Sequence, residues 1–250
     1  MLEVSHVAKS YGRRTILRDI SFTAEPGEQI ALIGRNGCGK STLLRMLAGI
    51  DPIADGEVFF FGNRAGRDRS VFREFSGYLP QDNPLLGDLS VEDNISLWSG
   101  RSGRPDDWLV REFQLDGILK QRTDRLSGGQ RRRAAIACAC AGQPPVLFLD
   151  EPTASLDIEY KRDFRAWMRS YRERNGILVI ATHDIPEMED SSRILLMENG
   201  VLEDVTGRLS SVVGSVSGLS ASSLSSKERP MRERDTLEDG IPARRQGEKQ

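Results

Sequence analysis

The fold is decided by the stretch Gly34-Arg35-Asn36-Gly37-Cys38-Gly39-Lys40-Ser41-Thr42, which matches the pattern G-x-x-x-x-G-K-[ST] throughout. An apolar run at 29–33 precedes it and helix formers at 43–48 follow it, so a buried strand is predicted to turn through glycines into a helix. Such a loop turns its backbone N–H groups inward, and the helix start adds the positive end of its dipole. The stretch is therefore predicted to bind a nucleoside triphosphate, with Lys40 on the β- and γ-phosphates and the Ser41 hydroxyl on Mg²⁺.

Composition predicts a soluble globular chain. Its 250 residues, 38% of them hydrophobic, suffice for one core, or for one core and a small subdomain. Because 35 Lys and Arg nearly balance 37 Asp and Glu, no overall field favours nucleic acid or an anionic membrane. Apolar runs of membrane-spanning length and a signal peptide are both missing, which predicts a cytoplasmic location. The three cysteines form no disulfide framework, and Cys138 and Cys140 are interpreted as structural thiols rather than metal ligands.

Hydrophobic patterning divides the chain into regions. Predicted strands cover 2–7, 15–23, 29–33, 57–61, 76–79, 146–151, 177–181, 193–197 and 201–204, and predicted helices cover 40–48, 90–98, 105–119 and 131–141. Residues of about 82–140 are predicted to form a helical insert with Trp98, Trp108 and Phe113 in its own core. Residues 210–250, rich in serine and then in mixed charges, are predicted to be a disordered tail, with a regulatory or docking segment as the alternative.

Two further motifs carry chemistry of their own. The apolar strand 146–149 ends in Asp150 and Glu151, which places the first acid to hold Mg²⁺ and the second to face the γ-phosphate as general base. The alternative is that the two acids merely solvate the strand end. Before the helix at 131–141 stands Leu126-Ser127-Gly128-Gly129-Gln130, whose Ser-Gly-Gly turn at a helix start predicts a second anion site.

Four single residues have both a functional and an ordinary interpretation. Tyr11 could stack on a purine, although a tyrosine before a glycine is commonly a turn residue. Gln81, at a strand end, could bind Mg²⁺ or the attacking water, or be an exposed amide. Asp157 is, on spacing alone, best interpreted as a helix N-cap. His183 follows the strand 177–181, at the edge where ligands of α/β sheets gather.

Taken together, these motifs resemble those of the ATP-binding-cassette (ABC) family over residues 2–209. In this resemblance Gly34 to Thr42 correspond to the Walker A loop, and Leu126 to Gln130 to the signature that contacts ATP across a dimer. The resemblance implies the remaining assignments: Tyr11 as adenine-stacking residue, Gln81 as Q-loop glutamine, Asp150 as Walker B aspartate, Glu151 as catalytic glutamate, Asp157 as D-loop acid and His183 as switch histidine. One departure is Ala137-Cys138-Ala139-Cys140, where the family often reads Ala-Arg-Ala-Leu.

The resemblance also implies a fold and a function. It implies an α/β P-loop NTPase core with a mixed parallel sheet, an N-terminal antiparallel β subdomain and a small helical insert, all within an ABC ATPase domain at 1–209. The expected function is ATP hydrolysis, with ATP and Mg²⁺, by a transporter subunit that pairs with a second cassette, as a homodimer or heterodimer. Separate membrane permease subunits would hold it at the cytoplasmic face, no nucleic acid is expected, and export is weakly favoured. The alternative is a soluble ABC ATPase for assembly or remodelling, such as iron–sulfur cluster assembly, that has no permease.

Overall fold

A computed structural model describes residues 1–66, 69–100 and 103–209. The predicted tail at 210–250 lies outside the described residues. The strands are β1 (Leu2–Tyr11), β2 (Arg14–Ala24), β3 (Gln29–Ile33), β4 (Asp55–Phe60), β5 (Asn63–Arg64), β6 (Ser76–Leu79), β7 (Val146–Asp150), β8 (Ile177–Ala181), β9 (Arg193–Glu198) and β10 (Val201–Asp204). The helices are α1 (Lys40–Leu47), α2 (Ser70–Phe75), α3 (Val91–Ser99), α4 (Asp107–Glu112), α5 (Gly128–Cys140), α6 (Ile158–Glu173) and α7 (Ile185–Glu189).

The strands form two sheets, as the fold prediction requires. One is antiparallel, with the order β2-β1-β4-β5. The other is mixed, with the order β10-β9-β3-β8-β7-β6, in which β10 pairs antiparallel to β9 and all other neighbours are parallel. The fold is therefore α/β with a mixed sheet and an N-terminal antiparallel sheet.

The parallel register brings the ends of four strands to one edge of the mixed sheet. Leu32 pairs with Ala181, Asp150 also pairs with Ala181, and Leu79 pairs with Leu149. Since the strands run in the same direction, the residues that follow β3, β6, β7 and β8 emerge side by side. This edge carries most of the residues for which the sequence predicts chemistry.

The mixed sheet is covered on both faces, which explains why its central strands are apolar throughout. Every residue of β3, β7 and β8 is buried. One hydrophobic cluster joins α5 and α6 to alternate residues of these strands, whereas a second cluster joins the other residues to α1 and the antiparallel sheet. The sheet is therefore the shared wall of two cores.

The segment between β6 and β7 contains α3, α4 and α5, and two expectations for it need correction. The helix predicted at 105–119 ends at Glu112, because Gln114 has a φ of 52°, which an α-helix does not allow. Trp98, expected in the core of the insert, is 41% exposed, whereas Phe113 is buried and Trp108 packs partly buried against the core. Within the described residues, no helix is long and apolar enough to cross a membrane.

Candidate functional site

The loop between β3 and α1 has the backbone of a phosphate cradle. Gly34, Gly37 and Gly39 all have positive φ, of 147°, 76° and 119°. A side chain at Gly34 would collide with the backbone, because its Cβ would lie 2.4 Å from the carbonyl oxygen of Met197. The Nζ atom of Lys40 donates a hydrogen bond to the Gly34 carbonyl at 2.8 Å, so the ammonium group lies inside the loop. The loop thus places the Lys40 cation and the N-terminus of α1 at one point.

Ser41 and Asp150 meet at the sheet edge next to this loop. The Ser41 hydroxyl is hydrogen-bonded to the Asp150 carboxylate, which is almost completely buried. Burial raises the pKa of Asp150, and the Ser41 hydroxyl, Lys40 and Arg132 oppose that rise. A hydroxyl and a carboxylate are hard oxygen ligands of the kind that Mg²⁺ prefers. They lie beside Lys40, which would contact the same nucleotide phosphates as the ion. The donor set therefore fits Mg²⁺.

Glu151 and His183 face each other at the ends of β7 and β8. The Nε2 atom of His183 lies 3.7 Å from Oε1 of Glu151, and both side chains are half-buried. Among the described residues this Nε2 atom is buried without a hydrogen-bond partner, so it is left to bind something that the chain does not supply. Burial, followed by the charge of Lys40, lowers the pKa of His183, which favours the neutral form of the imidazole.

The backbone of Glu151 is unusual for a residue with a side chain. Its φ is 47°, in the left-handed region that favours glycine. Its N–H donates to the Ala181 carbonyl at 2.8 Å, and its carbonyl accepts from the N–H of Ala154 at 3.1 Å. The chain thus turns sharply at the point where β7 ends, and this turn aims the carboxylate toward His183.

Behind His183 lies a buried carboxyl group that sequence reasoning missed. Glu187, in α7, is 1% exposed and accepts a hydrogen bond from the Thr182 hydroxyl. The same hydroxyl accepts from the backbone N–H of Asp184 at 3.0 Å, so the turn that carries His183 is fixed from within. Glu187 lies five residues beyond Thr182 in a polar stretch, and no periodic pattern there marks it as buried.

The signature segment forms the start of α5, so the helix predicted at 131–141 begins three residues earlier, at Gly128. The Ser127 hydroxyl accepts from the Gln130 N–H at 3.2 Å, and the Gln130 side chain accepts from the Ser127 N–H at 2.9 Å, which is a reciprocal capping box. Ser127 and Gly128 are exposed, and Gly129 and Gln130 are half-buried. The first N–H groups of the helix are therefore accessible to an anion from outside the chain.

Three other predicted residues are placed with less contact to the loop. Gln81 follows β6 and is exposed. Asp157 caps α6, because its carboxylate accepts from the Tyr160 N–H at 2.8 Å, in agreement with the simpler interpretation of its spacing. Tyr11 is the last residue of β1 and 53% exposed, and its hydroxyl donates to Asp51 beyond the end of α1. Their functional roles stay predictions.

Arg132 is the second functional candidate that the sequence did not reveal. It belongs to the run Arg131-Arg132-Arg133, which would pass for a solvated helix face, yet Arg132 is only 8% exposed. Its guanidinium reaches the ends of both β6 and β7. The only hint in the sequence is that the apolar residues after it leave the helix no polar face.

Comparison with known proteins agrees with this geometry. The profile of the ABC transporter family matches residues 17–154. The chain belongs to the ABC transporter family. This cassette is 36% identical to the sulfate/thiosulfate import ATP-binding protein CysA of Pseudomonas syringae pv. tomato, over 82% of the chain and 66% of that protein. It is also 36% identical to CysA 1 of Agrobacterium fabrum, over 82% of the chain and 62% of that protein.

A solved structure supports the same assignment. An ATP-binding cassette determined as a dimer in a post-hydrolysis state with ADP and Pi matches with a TM-score of 0.74 and 25% identity, over 81% of this chain and 97% of that one. By contrast, the cassette spans less than two thirds of the length of the curated relatives named above. The family and fold are thereby established.

Proposed function

We propose that this cassette binds and hydrolyses ATP as the nucleotide-binding subunit of an ABC transporter. The observation that carries the proposal is the convergence of three pairs of features at one sheet edge: the loop with Lys40, Ser41 with Asp150, and Glu151 with His183. A phosphate cradle, a set of Mg²⁺ donors and a carboxylate beside a neutral imidazole are the parts that phosphoryl transfer to water requires.

Each part has a role in this proposal. Residues 34–42 would cradle the phosphates, and Lys40 would neutralise the charge on the β- and γ-phosphates. Ser41, Asp150 and Gln81 would hold Mg²⁺, which supplies charge stabilisation on the phosphate oxygens. Glu151 would accept a proton from the attacking water, and His183 would donate from Nε2 to the γ-phosphate.

Turnover also requires a second cassette, either another copy or a related chain. At the start of α5, Ser127 and Gly128 face solvent, so their backbone N–H groups are accessible to the ATP of a partner cassette. Tyr11 would stack on adenine, and Asp157 would lie near the junction of the two cassettes. The dimeric cassette structure with ADP and Pi supports this arrangement.

We further propose that the cassette energises import. The CysA proteins, which it resembles over 82% of its length, are named as import ATP-binding proteins, so the comparisons do not support the expectation of export. Separate membrane permease subunits would carry the cargo and hold the cassette at the cytoplasmic face. Recovery of a polytopic membrane protein with the tagged cassette would distinguish this function from a soluble assembly ATPase.

Two substitutions test the hydrolytic site. Lys40→Ala removes the cation from the loop and should abolish ATP binding, whereas Glu151→Gln removes the base and should leave ATP binding intact. For Glu151→Gln we expect kcat to fall at least about a hundredfold, the usual loss when a general base is removed. Equilibrium binding of a fluorescent ATP analogue and phosphate release measure the two effects.

The matched control is Glu159→Gln, an exposed acid in the first turn of α6. It removes the same carboxylate chemistry away from the sheet edge and should leave binding and turnover unchanged. Near-normal phosphate release by Glu151→Gln would exclude Glu151 as the base.

A further inference from the structure

Arg132 is a buried cation that the hydrolytic scheme does not use. It lies on α5, five positions after the capping Ser127, among residues that are mostly alanine and cysteine. Burial lowers its pKa, and the nearby carboxylates of Asp150 and Glu151 oppose this effect. A guanidinium is charged in essentially every protein environment, so its burial needs compensation by hydrogen bonds.

The compensation comes from backbone carbonyl groups in two other segments. Nη1 donates to carbonyls just after β6, and Nη2 and Nε donate to carbonyls at the end of β7 and just after it. The acceptors and distances are Pro80 at 2.7 Å, Gln81 at 3.2 Å, Asp150 at 2.8 Å, Glu151 at 2.6 Å and Pro152 at 3.0 Å. One side chain therefore ties the signature helix to the turn at Gln81 and to the turn at Glu151.

The contact with Glu151 has a specific consequence because of that residue's backbone. A glutamate with a φ of 47° is in a conformation that costs energy unless its surroundings fix it. The N–H of Glu151 is held by Ala181 of β8, and its carbonyl is held at 2.6 Å by Arg132. Without the guanidinium, the carbonyl loses its shorter hydrogen bond and keeps the one from the Ala154 N–H at 3.1 Å, so the peptide after Glu151 is held less firmly.

We propose that Arg132 is a positioning residue that fixes the main chain of Glu151 and thereby aims its carboxylate. Because Arg132 lies on the helix that begins at Ser127, a partner bound at that helix start also acts on the Glu151 turn through this side chain. The inference rests on the proposed hydrolysis by Glu151. Under this proposal the rate of hydrolysis depends on a second group, Arg132, which lies remote from the phosphates.

The test is Arg132→Met, which keeps an unbranched apolar stem and removes every donor. We expect kcat to fall by about a hundredfold, as for a small misplacement of a catalytic group, while KM for ATP stays within about threefold. Arg132→Lys retains a cation and three donors and should recover part of kcat. The matched control is Arg133→Met on the same helix, whose side chain contacts Gln114 and the Tyr160 ring, and it should leave kcat unchanged.

A double-variant cycle separates positioning from general support of the fold. In a Glu151→Gln background the carboxylate is already gone, so Arg132→Met should lower the residual single-turnover rate by less than about threefold. An equal loss in both backgrounds would show that Arg132 does not act through Glu151 and would overturn the proposal. Unchanged kcat for Arg132→Met would also overturn it, whereas a wild-type chain without turnover would overturn the proposed hydrolysis itself. If Arg132→Met does not fold, the same comparison is made with Arg132→Lys.

Discussion

At the scale of single residues, the burial of the Glu187 carboxyl group makes the stability of the fold depend on pH. Burial raises its pKa above the ordinary value of 4.5, although the Thr182 hydroxyl opposes the rise. The folded chain therefore holds more protons on this group than the unfolded chain does between pH 4.5 and the raised pKa. The stabilisation from the protonated form is complete below pH 4.5 and is lost as pH rises through the raised pKa.

Glu187→Gln removes this titration and keeps an oxygen for the Thr182 hydroxyl. We expect the free energy of unfolding of the variant, relative to the wild type, to increase as pH rises from 4.5 toward neutrality, measured by urea denaturation at several pH values. Glu189→Gln, an exposed neighbour in α7, is the control and should give a parallel profile. A Glu187→Gln curve parallel to the wild type would contradict the burial argument.

At the scale of secondary-structure elements, α5 packs closely against β6. Gly77 of β6 leaves no room for a side chain, because its Cβ would lie 2.3 Å from the Ala139 carbonyl and 2.7 Å from a Leu147 methyl group. Gly77→Ala should therefore lower the free energy of unfolding by about 1–3 kcal/mol, the cost of overpacking. Denaturant unfolding measures the loss.

Gly87→Ala is the matched control, since its Cβ would meet only Asp124 at 3.5 Å, an ordinary contact. It should stay within about 0.5 kcal/mol of the wild type. Equal stabilities for the two variants would mean that α5 and β6 separate at little cost.

At the scale of the whole molecule, the start of α5 is exposed and is proposed to contact ATP bound to a second cassette. Dimerisation tests this role. Glu151→Gln should form dimers in the presence of ATP, as measured by size-exclusion chromatography with light scattering. Adding Gly128→Asp should abolish these dimers, because a carboxylate would repel the phosphates of the partner's ATP. The fold should tolerate the change, since nothing lies within 4 Å of a Cβ at Gly128 and an acid suits a helix N-terminus. Dimers that persist in the double variant would exclude the signature from the interface.

The sequence predicted those parts of the structure that have a local pattern. The apolar runs predicted β3 and β8 at their observed bounds and β7 to within one residue, and the glycines and Lys40 of the phosphate loop identified the strand, turn and helix. The position of Asp150 and His183 was also predictable, because both follow apolar strands and the carboxyl ends of parallel strands meet at one edge of a sheet.

The rest depended on tertiary contacts that leave no periodic signal. Arg132 is buried because carbonyls from two distant strands point at it, and Arg133, its neighbour, is not. Glu187 depends likewise on Thr182, and Trp98 is exposed although it lies within α3. In each case the residue type favours the opposite environment, and the surrounding structure determines whether the side chain is buried or exposed.

The left-handed backbone of Glu151 has a consequence for laboratory evolution. Glycine would adopt the same φ without strain, so glutamate is not the most stabilising choice at this position. A library selected only for heat resistance would accordingly favour loss of the carboxylate, and under the proposed role of Glu151 the resulting protein would bind ATP without hydrolysing it. Thermostable descendants of this cassette must therefore be screened for turnover in the same round.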